Sequence, residues 1–261
     1  MQIAILYICT GRYKLFFHGF YGSCERNLLT DFQKHYFVWT DDDHLADGFN
    51  NVRIIHKECA GFPADSLFRF EMFLQVEEEL KKYDYIYFFN SNAEIRQSIG
   101  HEILPDESGL VIGAWPGKRE HQHPMFYPYE RNKKSLAYVA PHGKNYTYFM
   151  GGINGGTSQS YLRMIRTLSK NIRDDYNRGI IAKAHDESHI NAYLRTHKCK
   201  KLGREFCLPE EWVREGENPK NVFRNKVIFD SYFNKGRRFD ILARIKKGIT
   251  ILYNALIWYI R

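Results

Sequence analysis

No Cys-x-x-Cys pair occurs in this chain of 261 residues, and its five cysteines (Cys9, Cys24, Cys59, Cys199 and Cys207) are odd in number and scattered. That spacing argues against a disulfide framework and against a thiolate zinc site, and a reducing compartment is the simpler reading. The N-terminal run MQIAILYICTGRY has neither a basic leader nor a small-residue cleavage site, and its apolar stretch is far too short to span a bilayer. It reads as a first strand, with nothing to export the chain. Internal repeats, low-complexity blocks and Gly/Ser/Pro-rich linkers are also missing, so residues 1–236 are expected to form one domain and 237–261 a separate tail. Neither G-x-G-x-x-G nor a Walker loop is present.

What is present is a globular composition, 44% hydrophobic and 16% aromatic, enough for one substantial core. Lys and Arg number 38 against 30 Asp and Glu, and the resulting net charge of +8 favours anionic partners. Strand-like runs at IAILYIC, HYFVWTD, NVRIIH, YDYIYFF and GLVIGAW alternate with helical periodicity, which points to an α/β sheet. Between residues 64 and 83, Phe68, Met72, Val76 and Leu80 recur every fourth position, as along one helical face. A second helix is expected from about Ser158 to Arg178, with Tyr161, Ile165, Leu168 and Ile172 as its buried stripe, Thr157 or Ser158 as its cap and Gly179 at its exit. Residues 115–150 are rich in His, Tyr, Pro, Lys and Gly without clean periodicity, which suits a ligand-binding insertion.

Three short stretches carry the chemistry. The strand YDYIYFF runs into Asn90-Ser91-Asn92, and ligands in open α/β sheets bind just beyond the carboxyl ends of strands. Aspartates there could hold a divalent cation, but amides offer no anionic oxygen. The two asparagines could hydrogen-bond hydroxyls or phosphate oxygens, or simply make a turn. The run YFMGGINGG, residues 148–156, either lets backbone approach a ligand closely or forms a tight turn into the Ser158 helix. In HDESHINAYL, residues 185–194, His185 and His189 stand at i, i+4 like a zinc pair. The second position of that motif must be a glutamate, however, and here it is Asp186. The other reading is a helix N-terminus with Asp186 as cap and Glu187 favoured by the macrodipole.

Taken in order, FFNSNAEI, HQHPMFYPYERNKKSLAYV, YFMGGINGGT, HDESHINAYL and LPEEW resemble glycosyltransferase family 6, the family of the histo-blood-group A and B transferases and the α-1,3-galactosyltransferases. The resemblance is strong over residues 66–212, weaker before them and faint beyond Gly216. It implies a GT-A fold, a mixed sheet flanked by helices, and a retaining hexosyltransferase using a UDP-sugar. It also implies metal-independent transfer, because this chain has Asn90 and Asn92 where animal members carry the manganese-binding Asp-x-Asp, as the bacterial Asn-x-Asn members do. No cofactor is then expected, and fixed cations must offset the charge on departing UDP. Arg224, Lys226, Lys235, Arg237 and Arg238 are available, with Lys226 and Arg238 the preferred pair; a solvated basic face is the other reading of this run.

The remaining roles follow from the resemblance one residue at a time. Glu187 is expected on the sugar face opposite the leaving group, as nucleophile or as a carboxylate stabilising an oxocarbenium-like centre. Asp186 would hold a donor-sugar hydroxyl, His185 would shape the site and Arg69 would contact the donor sugar. Ile8, Thr10 and Tyr13 stand on the uridine-binding strand. His123 would meet the acceptor galactose, whereas Ala184 replaces the tryptophan of blood-group-type relatives. Met150, Gly151 and Gly152 would face the C2 substituent, where glycine at the third position leaves room for an acetamido group. The expected donor is therefore UDP-N-acetylgalactosamine, with UDP-galactose as the alternative. The expected acceptor is a fucosylated, H-type β-galactoside and the product linkage α-1,3. A non-catalytic sugar-binding protein stays as a further alternative. No nucleic-acid partner is expected, because the aromatics fall in strands and are not interleaved with basic residues.

In the tail, Ile241, Ile245, Ile249, Leu252 and Leu256 stand at helical spacing beside Arg244, Lys246, Lys247 and Arg261, with Trp258 and Tyr259 near the end. Such a helix suits peripheral attachment to an anionic membrane, where Trp258 and Tyr259 would be interfacial aromatics, or packing on the catalytic domain or a second subunit. Lacking the N-terminal anchor of the animal relatives, the chain is expected to be a cytoplasmic, bacterial-type enzyme, peripheral on the inner face of the membrane.

Overall fold

A computed structural model describes residues 1–117, 123–229 and 241–260. Its centre is a seven-stranded mixed sheet in the order β3-β2-β1-β4-β7-β6-β8. These strands are β1 (Gln2–Ile8), β2 (Gln33–Thr40), β3 (Val52–His56), β4 (Tyr85–Phe89), β6 (Leu110–Ala114), β7 (Phe149–Thr157) and β8 (Lys200–Leu202). A second sheet joins β5 (Ala93–Ile95), β10 (Asn221–Phe223) and β9 (Leu208–Pro209). Strand β1 runs parallel to both β2 and β4, pairing Leu6 with Phe37 and Phe88. The chain therefore leaves β1 and β4 at the same edge, which brings Thr10 and Asn90 to one place.

Alternation along β1 assigns its side chains to two cores. Ile3, Ile5 and Tyr7 pack with Phe17 and Phe20 of the helix Phe17–Asn27, while Ala4 and Leu6 face Phe70, Phe73 and Leu168 on the opposite side. Each such aliphatic or aromatic side chain contributes roughly 1.5–3 kcal/mol on burial, so the two-sided sheet is the main source of stability. The five strand-like runs of the sequence are β1, β2, β3, β4 and β6. The second expected helix is Ser158–Asn177, capped by the Thr157 hydroxyl, which accepts from Ser160 N at 3.3 Å, and all four of its stripe residues are buried.

Two expectations change. The run 64–83 is not one helix but three, Ala64–Leu67, Arg69–Leu74 and Glu77–Leu80, interrupted at Phe68 (φ −99°, ψ 14°) and Val76 (φ −117°, ψ 23°). Leu67 and Arg69 are both buried. In an unbroken helix, residues two apart point roughly 200° from each other, so the break at Phe68 is what lets both turn inward. The glycine-rich YFMGGINGG is neither a turn nor a loop: residues 149–157 form β7, antiparallel between β4 and β6. Its glycines serve close packing. A Cβ on Gly155 would lie 2.5 Å from Tyr87 Cδ1, and one on Gly156 would lie 2.2 Å from the Gly109 carbonyl oxygen.

Residues 123–148 form little regular structure beyond the short turn Pro124–Phe126 and a bridge between Glu130 and Tyr138. Their aromatics make a third core in which Tyr129, Val139 and Tyr148 enclose Trp258 of the helix Ile241–Ile260. Trp258 Nε1 donates to the Val139 carbonyl at 2.8 Å. Trp258 is thus not an interfacial aromatic: its indole is buried against the domain, where its N–H finds a partner. The expected boundary at 236/237 and the cations Lys235, Arg237 and Arg238 lie outside the described residues. Among the described residues, no helix is long and apolar enough to cross a membrane.

Candidate active site

Where β1 and β4 end, a cleft of ≈ 260 Å³ is lined by Ile8, Thr10, Tyr13, Arg69, Asn90 and Lys226, all expected to contact the donor, together with Ser91, Phe62 and Asp65. Thr10 is fixed by its hydroxyl, which donates to Asp65 Oδ2 at 2.9 Å, and the same oxygen accepts from Gly61 N at 2.9 Å. Lys226 Nζ sits 4.6 Å from the Tyr13 ring centre and donates to its hydroxyl at 3.2 Å. An ammonium is thereby held against the first-strand turn. A larger groove of ≈ 780 Å³, between residues 106–108 and 194–201, contains none of the expected site residues.

The two asparagines interlock. Asn90 Nδ2 donates to Asn92 Oδ1 at 3.2 Å, and Asn92 Nδ2 donates to the Arg224 carbonyl at 2.8 Å. Asn90 N also donates to the Gly152 carbonyl at 2.8 Å, which ties the end of β4 to β7. Asn90 lines the cleft, whereas Asn92 is buried behind it as a strut to the segment after β10. The pair offers no anionic oxygen, and Asn92 spends both ends of its amide on protein partners. The donor set does not fit a divalent cation on a pyrophosphate.

Arg69 is the charged wall of the cleft. Its guanidinium lies 4.5 Å from the Phe88 ring centre and 5.2 Å from that of Phe70, and its Nη2 pairs with Asp186 Oδ2. Both side chains are buried. Burial pushes the Asp186 carboxyl above its ordinary range, opposed by the Arg69 charge. Arg69 Nε is buried and has no hydrogen-bond partner among the described residues. An orphaned donor on a cleft wall costs about 1–3 kcal/mol unless a ligand oxygen meets it.

Glu187 follows on the helix His185–Tyr193. Its Oε1 accepts from the Tyr148 hydroxyl at 2.6 Å and its Oε2 from Gly151 N at 2.7 Å. Burial raises this carboxyl above the usual glutamate range, while both hydrogen bonds pull it back. Asn191 holds the helix to β7: it accepts from Phe149 N at 2.9 Å and donates to the Phe149 and Glu187 carbonyls, each at 2.8 Å. Gly151 is required where these groups meet, because a Cβ there would lie 2.6 Å from Arg69 Nη2 and 3.1 Å from Asp186 Oδ2. Tyr148 and Asn191 carry no signal in the sequence.

Other expected residues stand elsewhere. The missing Cβ of Gly152 faces Met150 Cε and the Phe223 ring, each at 3.0 Å, so the space left by glycine meets protein atoms, and Met150 is buried rather than on the cleft wall. His123 caps the Pro124–Phe126 turn, its Nδ1 accepting from Met125 N at 3.3 Å, with its ring centre 6.1 Å from that of Tyr259. The N-cap of the His185 helix is Ala184 and not Asp186, whose carboxylate turns to Arg69. His185, at φ +52°, packs its ring 4.8 Å from that of Phe62. His189 is buried and faces Asp175, whose Oδ2 lies 3.7 Å from its Nε2.

The zinc-pair reading therefore fails, since the two imidazoles face different surroundings and no group of three metal-ligating side chains occurs among the described residues. Burial holds His189 down to about 4 from 6.5. Its neutral form is the folded form, so the stability it contributes is present above pH 6.5 and is lost as pH falls toward about 4. Chemical denaturation across that window should show wild type losing more stability than His189→Gln; parallel curves would mean that His189 does not titrate with unfolding.

Comparison with known proteins places the chain among glycosyltransferases. Residues 1–223 match glycosyltransferase family 6. The O-antigen biosynthesis glycosyltransferase WbnI of Escherichia coli is 36% identical over 235 residues, covering 90% of this chain and 99% of its own length. Globoside alpha-1,3-N-acetylgalactosaminyltransferase 1 of Gallus gallus is 27% identical over 229 residues, 84% of this chain and 64% of its own. Histo-blood group ABO system transferase 1 of Rattus norvegicus is 28% identical over 200 residues, 73% of this chain and 56% of its own.

Proposed function

Since the chain belongs to glycosyltransferase family 6, we propose that it moves N-acetylgalactosamine from UDP-N-acetylgalactosamine, with retention and without a divalent metal, in α-1,3 linkage to the galactose of a fucosylated H-type β-galactoside. The observation that carries this reading is the junction of Arg69, Asp186, Gly151 and Glu187 beside the cleft: a buried cation with a free Nε donor stands next to a carboxylate held at both oxygens. Arg69 Nε and Asp186 suit donor-sugar oxygens, and Glu187 suits the anomeric carbon on the face away from UDP. Lys226 and Arg238 are assigned to the diphosphate charge; Lys226 lines the cleft, whereas Arg238 lies outside the described residues. The amide pair at Asn90 and Asn92 supports metal independence through its donor chemistry. His123 is assigned to the acceptor, and the reaction to the cytoplasmic side of the membrane.

One observation keeps UDP-galactose as the competing donor, because the face of Gly152 meets Met150 and Phe223 and not open space. Both readings are tested by transfer from each UDP-sugar to 2′-fucosyllactose, with EDTA and with added manganese. The expected result is transfer in EDTA that is fastest with the acetamido donor. Strict manganese dependence would overturn the metal-independent reading, a preference for UDP-galactose would reassign the donor, and no transfer would remove the acceptor.

A further inference from the structure

We propose that the outward face of the Ile241–Ile260 helix is a docking surface for an anionic lipid bilayer, held against the domain by Trp258. Ile249, Leu252, Tyr253, Leu256 and Ile260 are all exposed. At 3.6 residues per turn these five positions fall within an arc of roughly 100°, and Trp258, the buried residue, lies on the opposite side. The helix therefore docks on the domain with one face and turns a continuous apolar stripe outward, and no described residue covers it. Its docked end is near His123 and His142, whose rings lie 6.1 and 5.7 Å from Tyr259.

Charge selects the occupant. Residues 224–261 hold nine Lys and Arg against two Asp, so seven of the chain's eight net positive charges lie in this last segment. A second copy would set one strongly cationic segment against another, whereas an anionic bilayer complements that charge and its acyl region takes the stripe. Each Lys or Arg near an anionic surface is worth roughly fivefold in affinity.

The test is sedimentation of the full chain with phosphatidylcholine vesicles and with vesicles containing phosphatidylglycerol, at low and high salt. The paired substitution Leu252→Glu and Leu256→Glu removes the stripe, and Lys246→Gln with Lys247→Gln removes charge without touching it. Binding should be at least about tenfold tighter to the anionic vesicles, weaken with salt, and fall at least about tenfold in the stripe variant. Transfer to a soluble acceptor should stay unchanged in that variant, and the Lys variant should show a shallower salt dependence. Equal binding to both vesicle types, or a stripe variant that binds as wild type does, overturns the proposal. A wild-type dimer that the stripe variant converts to monomer assigns the face to a second copy instead. Vesicle binding is read without turnover, so it stands or falls apart from the donor and acceptor assigned above.

Discussion

Glu187→Gln is expected to lower kcat by roughly 10³–10⁴-fold while leaving the protein folded, the range seen when a group acting on the reacting centre is removed. Glutamine keeps the shape and one carbonyl oxygen for Gly151 N, so the substitution isolates the charge. The charge is also the part that costs stability. The folded carboxyl is raised above 4.5, so the stability tied to its protonated form is present below that value and lost as pH rises through the folded pKa. The neutral variant should accordingly be at least as stable as wild type at neutral pH, by thermal unfolding. In wild type the acid limb of kcat/KM should lie above the ordinary glutamate range, because Glu187 must lose its proton to act. Tyr148→Phe removes a hydrogen bond that favours the carboxylate and should move that limb to higher pH. An acid limb unmoved by Tyr148→Phe, or a Glu187→Gln variant with near-normal kcat, would remove Glu187 from the reacting centre.

The sheet was largely legible because short continuous runs of aliphatic and aromatic residues, buried on both faces, leave few alternatives for β1, β2 and β4. Strand β7 was not. Glycine in a run ordinarily signals a turn, and the reason for it here, the approach of Tyr87 on β4 to Gly155 and of the Gly109 carbonyl just before β6 to Gly156, comes from residues distant in the sequence. The site divides in the same way. Asn90, at the end of a strand, could be placed from topology alone, whereas Thr10 came from the family resemblance. Arg69 and Glu187 stood out only through family resemblance, since one buried arginine on an apolar run and one glutamate near a helix start carry no distinctive pattern. Tyr148 and Asn191 were invisible, because their roles depend on contacts across 39 and 42 residues. At Gly152 the motif alone does not define a pocket, because the space beside the glycine is filled by Met150 and Phe223. What the missing Cβ of Gly152 would meet is set in part by Phe223, on a strand of the other sheet, which the motif does not contain.

Asp186→Asn is expected to reduce unfolding free energy by about 3–5 kcal/mol, because it leaves the Arg69 charge buried between Phe70 and Phe88 without its counter-ion. For a chain of this size that loss lowers the melting temperature on the order of 10 °C. Replacing both partners, Arg69→Met with Asp186→Leu, should recover most of the stability, since a buried ion pair exchanged for apolar groups of similar volume is often neutral. Transfer should not recover, because the apolar pair offers nothing to a donor-sugar hydroxyl and removes the free Nε donor. The double variant thus separates the two roles of the pair, and thermal unfolding and transfer assays on all three proteins measure them. If Asp186→Asn melts as wild type does, the pair is solvated and the cleft wall is not the dry surface described. If the double variant is stable and still transfers sugar at a near-normal rate, neither residue touches the donor, and the positioning of the sugar must rest with the asparagine turn and the residues around Glu187.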